Sequence, residues 1–203
     1  MSLALNGKPA LIISECQRGV IEPAMAGFAG LAAEAEARDI VPRIADLARA
    51  FRAAGAPVVH APIAHRPDFA DVPPTSLIAA LARKHRRMTE GSAEVDFVAA
   101  LVPEAQDLVV WRSSGMVAFN GTALDAILRR LGVATVVLSG VSTNLAIAGC
   151  ALTAADLGYQ VVIAEDCIAG SDPRSHAVIV EAQLRMIARI ATAADVIAAL
   201  AAA

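Results

Sequence analysis

The feature that most constrains this chain is the make-up of its short apolar runs. PALIIS (9–14), PVVHA (57–61), DLVVW (107–111), ATVVLS (134–139), QVVIA (160–164) and IARIA (187–191) are each close to continuous in apolar character. A strand with one wet face alternates apolar and polar residues. A near-continuous run fits a strand covered on both faces, which is the condition of a parallel sheet.

Between these runs lie stretches with helical spacing. Ile40, Ile44, Leu47 and Phe51 recur at three and four residues within 36–54, which stops at Gly55. Residues 123–131 follow Thr122, with Asp125 three positions on as in a capping box, and stop at Gly132. Residues 144–157 end at Gly158, and 173–186 begin after Asp172, with Pro173 suited to the first helical position. Alternating strands and helices predict right-handed crossovers between parallel strands. The expected fold class is therefore α/β: a three-layer α/β/α sandwich around a mainly parallel six-stranded sheet. Residues 62–106, with Pro62, Pro67, Pro73 and Pro74, predict a loop plus helices over 76–86 and 94–101. These should lie over the carboxyl edge of the sheet.

A chain of 203 residues fits one domain over 1–203. Its 57% hydrophobic content allows a large core and leaves a surplus for a subunit interface. A net charge of −3 with 3% aromatic residues argues against nucleic-acid or anionic-membrane partners. No apolar run reaches the roughly 18 residues of a membrane span. The first residues lack a basic region followed by a long apolar stretch, so no signal peptide is expected. Cys16, Cys150 and Cys167 show neither metal nor disulfide spacing and suit the reducing cytoplasm.

Ligands of such sheets bind beyond the carboxyl ends of the strands. Three of those ends should converge: 14–17, 111–114 and 140–146. At the first, Glu15 is a carboxylate at a buried strand end, where desolvation suits it to acid/base work. A salt bridge from Glu15 to Arg18 or Arg112 is the alternative. Gln17 is expected to hydrogen-bond around the site. At the third, a turn leads into a helix whose first N–H groups form an anion or oxyanion hole. The run Arg83-Lys84-His85-Arg86-Arg87 reads as a solvated helix face, with a subunit contact or a steering patch as the alternative.

Three segments taken together carry a resemblance: ALIISECQ (10–17), MVAFNGTALDAIL (116–128) and ATVVLSGVSTNLA (134–146). They resemble the isochorismatase-like superfamily, whose largest branch is the cysteine hydrolases. The resemblance implies that Glu15 stands at the acid/base aspartate and that Ser113 stands at the lysine, with Arg112 one residue before it. It places Ala146 at the catalytic cysteine, six residues after Gly140. It further implies a cis peptide between Val141 and Ser142, and a substrate site that includes Gln17, Ser113, Val141, Ser142 and Phe119. A homodimer or homotetramer is expected on the same ground.

Ala146 carries no nucleophile, so thioester chemistry from that position is excluded. Cys150 lies one helical turn on and deeper, and Cys16 should face the opposite side of the sheet from Glu15. Arg112 stays protonated, so it would bind a carboxylate rather than exchange a proton; pairing with Glu15 or pointing to solvent are its other outcomes. Isochorismatases proper also lack the cysteine, and cleave a vinyl ether by protonation and attack of water. The expected function is thus a hydrolase of a small, anionic molecule, working by carboxylate acid/base chemistry without a cysteine nucleophile. The alternative is an inactive member that binds a small ligand or a partner. A third reading, an amide or imide hydrolase using Ser142 or Ser113, lacks a histidine placed to activate either serine. Nicotinamidases hold a metal with an Asp-x-His motif. The aligned residues here are Ile63-Ala64-His65, and His60, His85 and His176 lack ligand spacing, so neither metal nor cofactor is expected.

Overall fold

The computed structural model describes residues 3–202; residues 1, 2 and 203 of the expected 1–203 domain lie outside them. Six strands form one sheet: β1 (Lys8–Ser14), β2 (Val58–Ala61), β3 (Leu108–Val109), β4 (Val133–Val141), β5 (Gln160–Ala169) and β6 (Arg189–Ala191). All pairings are parallel, in the order β3-β2-β1-β4-β5-β6. The chain runs outward from β1 through β2 to β3, then returns to the other side of β1 with β4. That reversal opens a crevice between the carboxyl ends of β1 and β4.

Alternation along the strands divides the apolar residues between two faces. Ala10 and Ile12 of β1, Val136 and Leu138 of β4, and Val161 and Ile163 of β5 join one core. Leu11 and Ile13, Val137, and Val162 and Ala164 join the other. The first core is covered by α5 (Leu124–Arg130) and α6 (Ala148–Asp156), through Leu124, Leu128 and Ala151. The second is covered by α2 (Ala29–Ala37), α3 (Ile40–Ala53) and α9 (Ala193–Ala201), through Leu31, Ile44, Leu47, Phe51 and Val196. Side chains such as Leu47 and Phe51 are fully buried, and each contributes roughly 1.5–3 kcal/mol. The short α1 (Arg18–Ile21) precedes α2, and α4 (Leu77–His85) follows β2.

Several elements differ from expectation. The stretch 36–54 is divided at Asp39, whose φ of 54° ends one helix and starts the next. α2 carries little amphipathic signal because it packs through small residues, Ala32 and Ala35 beside Leu31. The helix expected over 94–101 is reduced to one 3-10 turn, Ala99–Leu101. Its backbone is tied to the segment after β1: the Arg18 N–H donates to Asp96 and the Gly19 N–H to Glu94, and Gln17 bridges Phe97. Long-range pairing outcompetes local helix preference there. Helix 173–186 divides into α7 (Pro173–Ile179), a π turn over Val180–Leu184, and the short α8 (Arg185–Ile187). Thr122 accepts from the N–H of Leu124 at 3.2 Å, but Asp125 completes no capping box and bonds Tyr159 and Arg129 instead. The capping box that does form, Thr192 with Asp195, opens α9. Among the described residues, no helix is long and apolar enough to cross a membrane.

Candidate active site at the carboxyl edge

The crevice at the carboxyl edge holds a cavity of about 560 Å³. Glu15, Ser142 and Ala146 line it together. The close approach of β1 and β4 that sets this geometry depends on Gly140: its φ is +94°, and a Cβ there would overlap the backbone of Ser14. β4 then runs through a cis Val141–Ser142 peptide into a π turn, Thr143–Ile147, ahead of α6. The N–H groups of Leu145 and Ile147 donate back to the Ser142 carbonyl at 3.3 and 3.0 Å. The first N–H groups of the turn, at Thr143 and Asn144, have no acceptor within the turn itself.

Glu15 sits just past β1 with a φ of 51°, in the left-handed region that a glutamate rarely occupies. Its carboxylate accepts from Nη2 of Arg112, forming an ion pair. Arg112 is 5% exposed. Its Nη1 donates to the Ala61 carbonyl at 3.2 Å and its Nε to the Gly115 carbonyl at 3.5 Å. Burial lowers the pKa of the guanidinium, yet arginine remains cationic in proteins. All three nitrogens are therefore engaged by protein groups. Of the outcomes foreseen for Arg112, pairing with Glu15 is the one observed.

The remaining predicted residues divide. Ser142 and Ala146 border the cavity. Gln17 is fully buried, and its amide is saturated by backbone: Nε2 donates to the Ile63 and Val95 carbonyls at 2.9 Å each, and Oε1 accepts from the Ile63 N–H at 2.8 Å. It stitches two loops to the end of β1 and is not among the cavity-lining residues. Phe119 packs in the core, its ring centroid 6.2 Å from that of Tyr159, and Val141 is fully buried in the opposite core. Neither borders the cavity. Ser113 lines a separate, open groove of about 960 Å³ beyond Arg112, and its carbonyl bonds Nδ1 of His65 at 2.5 Å. The position expected for the lysine thus borders that groove and is not among the residues lining the cavity with Glu15.

Cys150 is 1% exposed and is not among the cavity-lining residues. Its sulfur accepts from the Ala118 N–H at 3.3 Å, and burial pushes its pKa up. Cys16 lies in the core on the far face, as strand alternation predicted, with its pKa raised by burial to about 12. Cys167 is likewise pushed by burial to about 12. A thiol kept protonated and out of contact with the cavity is a core residue.

Residues not singled out by the sequence complete the cavity wall. His65 and His85 line it, as do Ile78 and Leu81 of α4. His65 stands in the metal-motif segment, but Ile63 replaces the acid with a hydrocarbon and Nδ1 is engaged by Ser113. These side chains do not fit a metal centre. The basic run is exposed over Arg83–Arg86, as a solvated face is, and its arginines also reach loop carbonyls. Arg83 donates to the carbonyls of Phe69 and Val72, Arg86 to Pro67, and Arg87 to Met25, while Arg87 also pairs with Glu94 at 3.0 Å. These arginines pin α4 to its surrounding loops.

A second polar chain braces the π turn. Thr143 Oγ1 lies 2.9 Å from Nδ1 of His176, whose Nε2 lies 2.9 Å from Glu165. Arg38 donates to the same carboxylate at 2.6 Å. The His176 hydrogen bond, reinforced by Arg38, holds the Glu165 carboxyl at about 2. In the neutral ring, an ionised Glu165 favours the tautomer in which Nε2 donates to it and Nδ1 accepts from the threonine hydroxyl. The series has the form of a nucleophile, base and carboxylate. Thr143 is fully buried and is not among the residues lining the cavity, however, so the chain is a strut tying the turn to α7 and β5. Among the described residues no histidine bonds the hydroxyl of Ser142 or Ser113; the hydroxyl that does meet one is that of Thr143.

The Isochorismatase domain family matches residues 9–195. The chain is 32% identical over 206 residues to the isochorismatase family protein YecD of Escherichia coli O157:H7, covering 98% of this chain and all of that one. It is 31% identical over 175 residues to the maleamate amidohydrolase of Pseudomonas putida KT2440, covering 84% of this chain and 78% of that one. Among solved structures, it superposes on an isochorismatase family protein from Desulfovibrio vulgaris with a TM-score of 0.84 at 28% identity, over 97% of this chain and all of that one. The parallel sheet, the crevice between β1 and β4 and these matches agree, and the chain belongs to the isochorismatase family of hydrolases.

Proposed function

We propose that this protein hydrolyses a C–N bond of a small molecule, with Glu15 as the acid/base group and water as the nucleophile. The observation that carries the reading is the Glu15 carboxylate, held by Arg112 at the wall of a cavity that Ala146 also lines, where the resemblance implies the nucleophile. As an ion pair, Glu15 begins as a base. It takes a proton from water as the oxygen attacks the carbonyl carbon, and returns that proton to the leaving nitrogen. Backbone N–H groups of the 142–146 turn, whose Ser142, Leu145 and Ala146 border the cavity, would offer hydrogen bonds to the developing oxyanion. Cleavage that begins by protonation from Glu15, as in an isochorismatase proper, is less well served because Arg112 favours the carboxylate. The amidohydrolase among the relatives supports a C–N bond over a C–O bond.

The test is turnover of purified protein on isochorismate and on a panel of amides, ureides and N-carbamoyl compounds, with Glu15→Gln alongside. The expected result is cleavage within the nitrogen-containing set and a rate lowered about 10²–10⁴-fold in the variant, with an unchanged circular dichroism spectrum. Equal rates in both proteins would reject the role of Glu15. The second reading, a binding protein without turnover, draws on Ser113 lining the groove and not the cavity. Ligand binding with no cleavage of any panel member would select it.

A further inference from the structure

Three asparagines occur in the chain, and two of them, Asn6 and Asn120, precede a glycine. In such a pair the backbone nitrogen of the glycine can attack the side-chain amide of the asparagine, because no Cβ shields it and the glycine backbone turns freely. By sequence the two pairs are equivalent. Both asparagines and both glycines are exposed to water. The tertiary structure separates them.

For the attack, the peptide unit joining the two residues must swing until its nitrogen meets the side-chain carbon. At Asn6 that unit is held. Its carbonyl accepts from Thr135 Oγ1 of β4 at 2.7 Å. The Asn6 N–H donates to Oε1 of Gln160 on β5 at 2.7 Å, and Nε2 of the same glutamine donates to the Ala4 carbonyl at 2.9 Å. Gly7 is closely packed as well, since a Cβ there would lie 3.2 Å from that of Ala134.

Asn120 lies in a turn ahead of α5, where its own N–H donates to the Val117 carbonyl at 3.1 Å. The unit that must swing is the next one. Among the described residues, neither the Asn120 carbonyl nor the Gly121 N–H has a hydrogen-bond partner, and the Asn120 amide has none. Gly121 has a φ of +69°, and nothing lies within 4 Å of where a Cβ would stand. The third asparagine, Asn144, precedes Leu145, whose branched side chain obstructs the nitrogen.

We propose that Asn120 is a site of spontaneous deamidation, selected over Asn6 by the fold. The Gly121 nitrogen gives its proton to solvent and bonds Cγ of Asn120. The Cγ–Nδ2 bond breaks, and ammonia leaves with a proton taken from solvent. Water then opens the cyclic imide. Breaking its bond to Cγ leaves aspartate. Breaking its bond to the main-chain carbonyl carbon leaves isoaspartate, with the chain running through Cγ. No oxidant or reductant is needed. Either product adds a carboxylate to the open groove, whose lining includes Asn120 and Gly121 together with Glu90 and Asp96. Isoaspartate also lengthens the main chain by a methylene, in the turn that Thr122 Oγ1 ties to the Ala118 carbonyl at 2.5 Å.

The test is to incubate the folded protein and the denaturant-unfolded chain in the same neutral buffer. The two Asn-Gly peptides are then quantified by mass spectrometry after digestion, with isoaspartate read by enzymatic methylation. In the folded protein, Asn120 should convert about tenfold or more faster than Asn6, which must wait for its segment to open. In the unfolded chain the two rates should agree within about twofold. Thr135→Val, which frees the Asn6 carbonyl, should raise the Asn6 rate about two- to tenfold and leave Asn120 unchanged. Equal rates in the folded protein, faster conversion at Asn6, or no conversion at Asn120 would overturn the proposal. So would the same preference in the unfolded chain, or an Asn6 rate unmoved by Thr135→Val, because either would deny the fold its selecting role.

Discussion

At position 15, backbone and side chain are both unusual. A φ of 51° for a non-glycine residue costs of order 1 kcal/mol or more, and such conformations cluster where function requires them. The turn it makes carries the carboxylate off the strand axis to the cavity, where Arg112 holds it. The cysteines show the opposite pattern. Burial raises the pKa of each one, with Cys16 and Cys167 at about 12, and none borders the cavity. Two outcomes follow at this scale. Ellman's reagent at pH 8 should label the folded protein about a hundredfold or more slowly than the urea-unfolded chain, in which all three thiols react. Cys150→Ser should keep turnover within about twofold of wild type, and a collapse of the rate would restore a thiol mechanism. The identity of the residue at 146 was readable from the motif. The exclusion of Cys150 from the cavity was not, because one helical turn of spacing says nothing about what the Phe119 loop covers.

Among the elements, the π turn and α7 are joined by the Thr143–His176–Glu165 chain. The Glu165 pKa falls from an ordinary 4.5 to about 2 on folding. A depressed carboxylate pKa stabilises the fold above the unfolded value, and that contribution is lost as pH falls from about 4.5 toward 2. Because the carboxylate is partly exposed, screening reduces the effect to about 1–2 kcal/mol. Urea unfolding of Glu165→Gln should therefore show a deficit of that size at pH 7 that narrows steadily below about pH 4.5. A deficit independent of pH would assign the loss to packing alone. Elements with a strong local signal were legible in the chain: the apolar stripe of α3, and Asp172 and Pro173 opening α7. The 94–101 segment was not, because its hydrogen bonds go to residues some 80 positions earlier in the chain. The loop contacts of the basic run were not legible for a related reason, since its arginines bind carbonyls of loops that only the folded chain brings near.

For the molecule as a whole, the reversal of strand order beside β1 determines where chemistry can occur. Parallel strands aim their carboxyl ends at one edge, and the gap between β1 and β4 is left open there. Large apolar side chains stay exposed elsewhere, among them Leu152, Val178 and Met186 at 49, 57 and 81%. Together with the high apolar content, they make a homodimer or homotetramer the expected state. Sedimentation equilibrium should read two or four times the 20.8 kDa chain mass, and a monomer at micromolar concentration would reject this.

The order of apolar runs and helical stripes by itself determined a parallel α/β sandwich, because burial on both faces leaves a strand no other composition. It also determined which three strand ends could meet and that residue 146 offers no nucleophile. Only the tertiary structure decided that Arg112 neutralises Glu15, that Gln17, Val141 and Phe119 serve the framework, and that α4 turns its apolar stripe toward the cavity. Those outcomes depend on which loop carbonyls and charges come within a few ångströms of one another, and contacts between distant segments leave no periodicity in the chain.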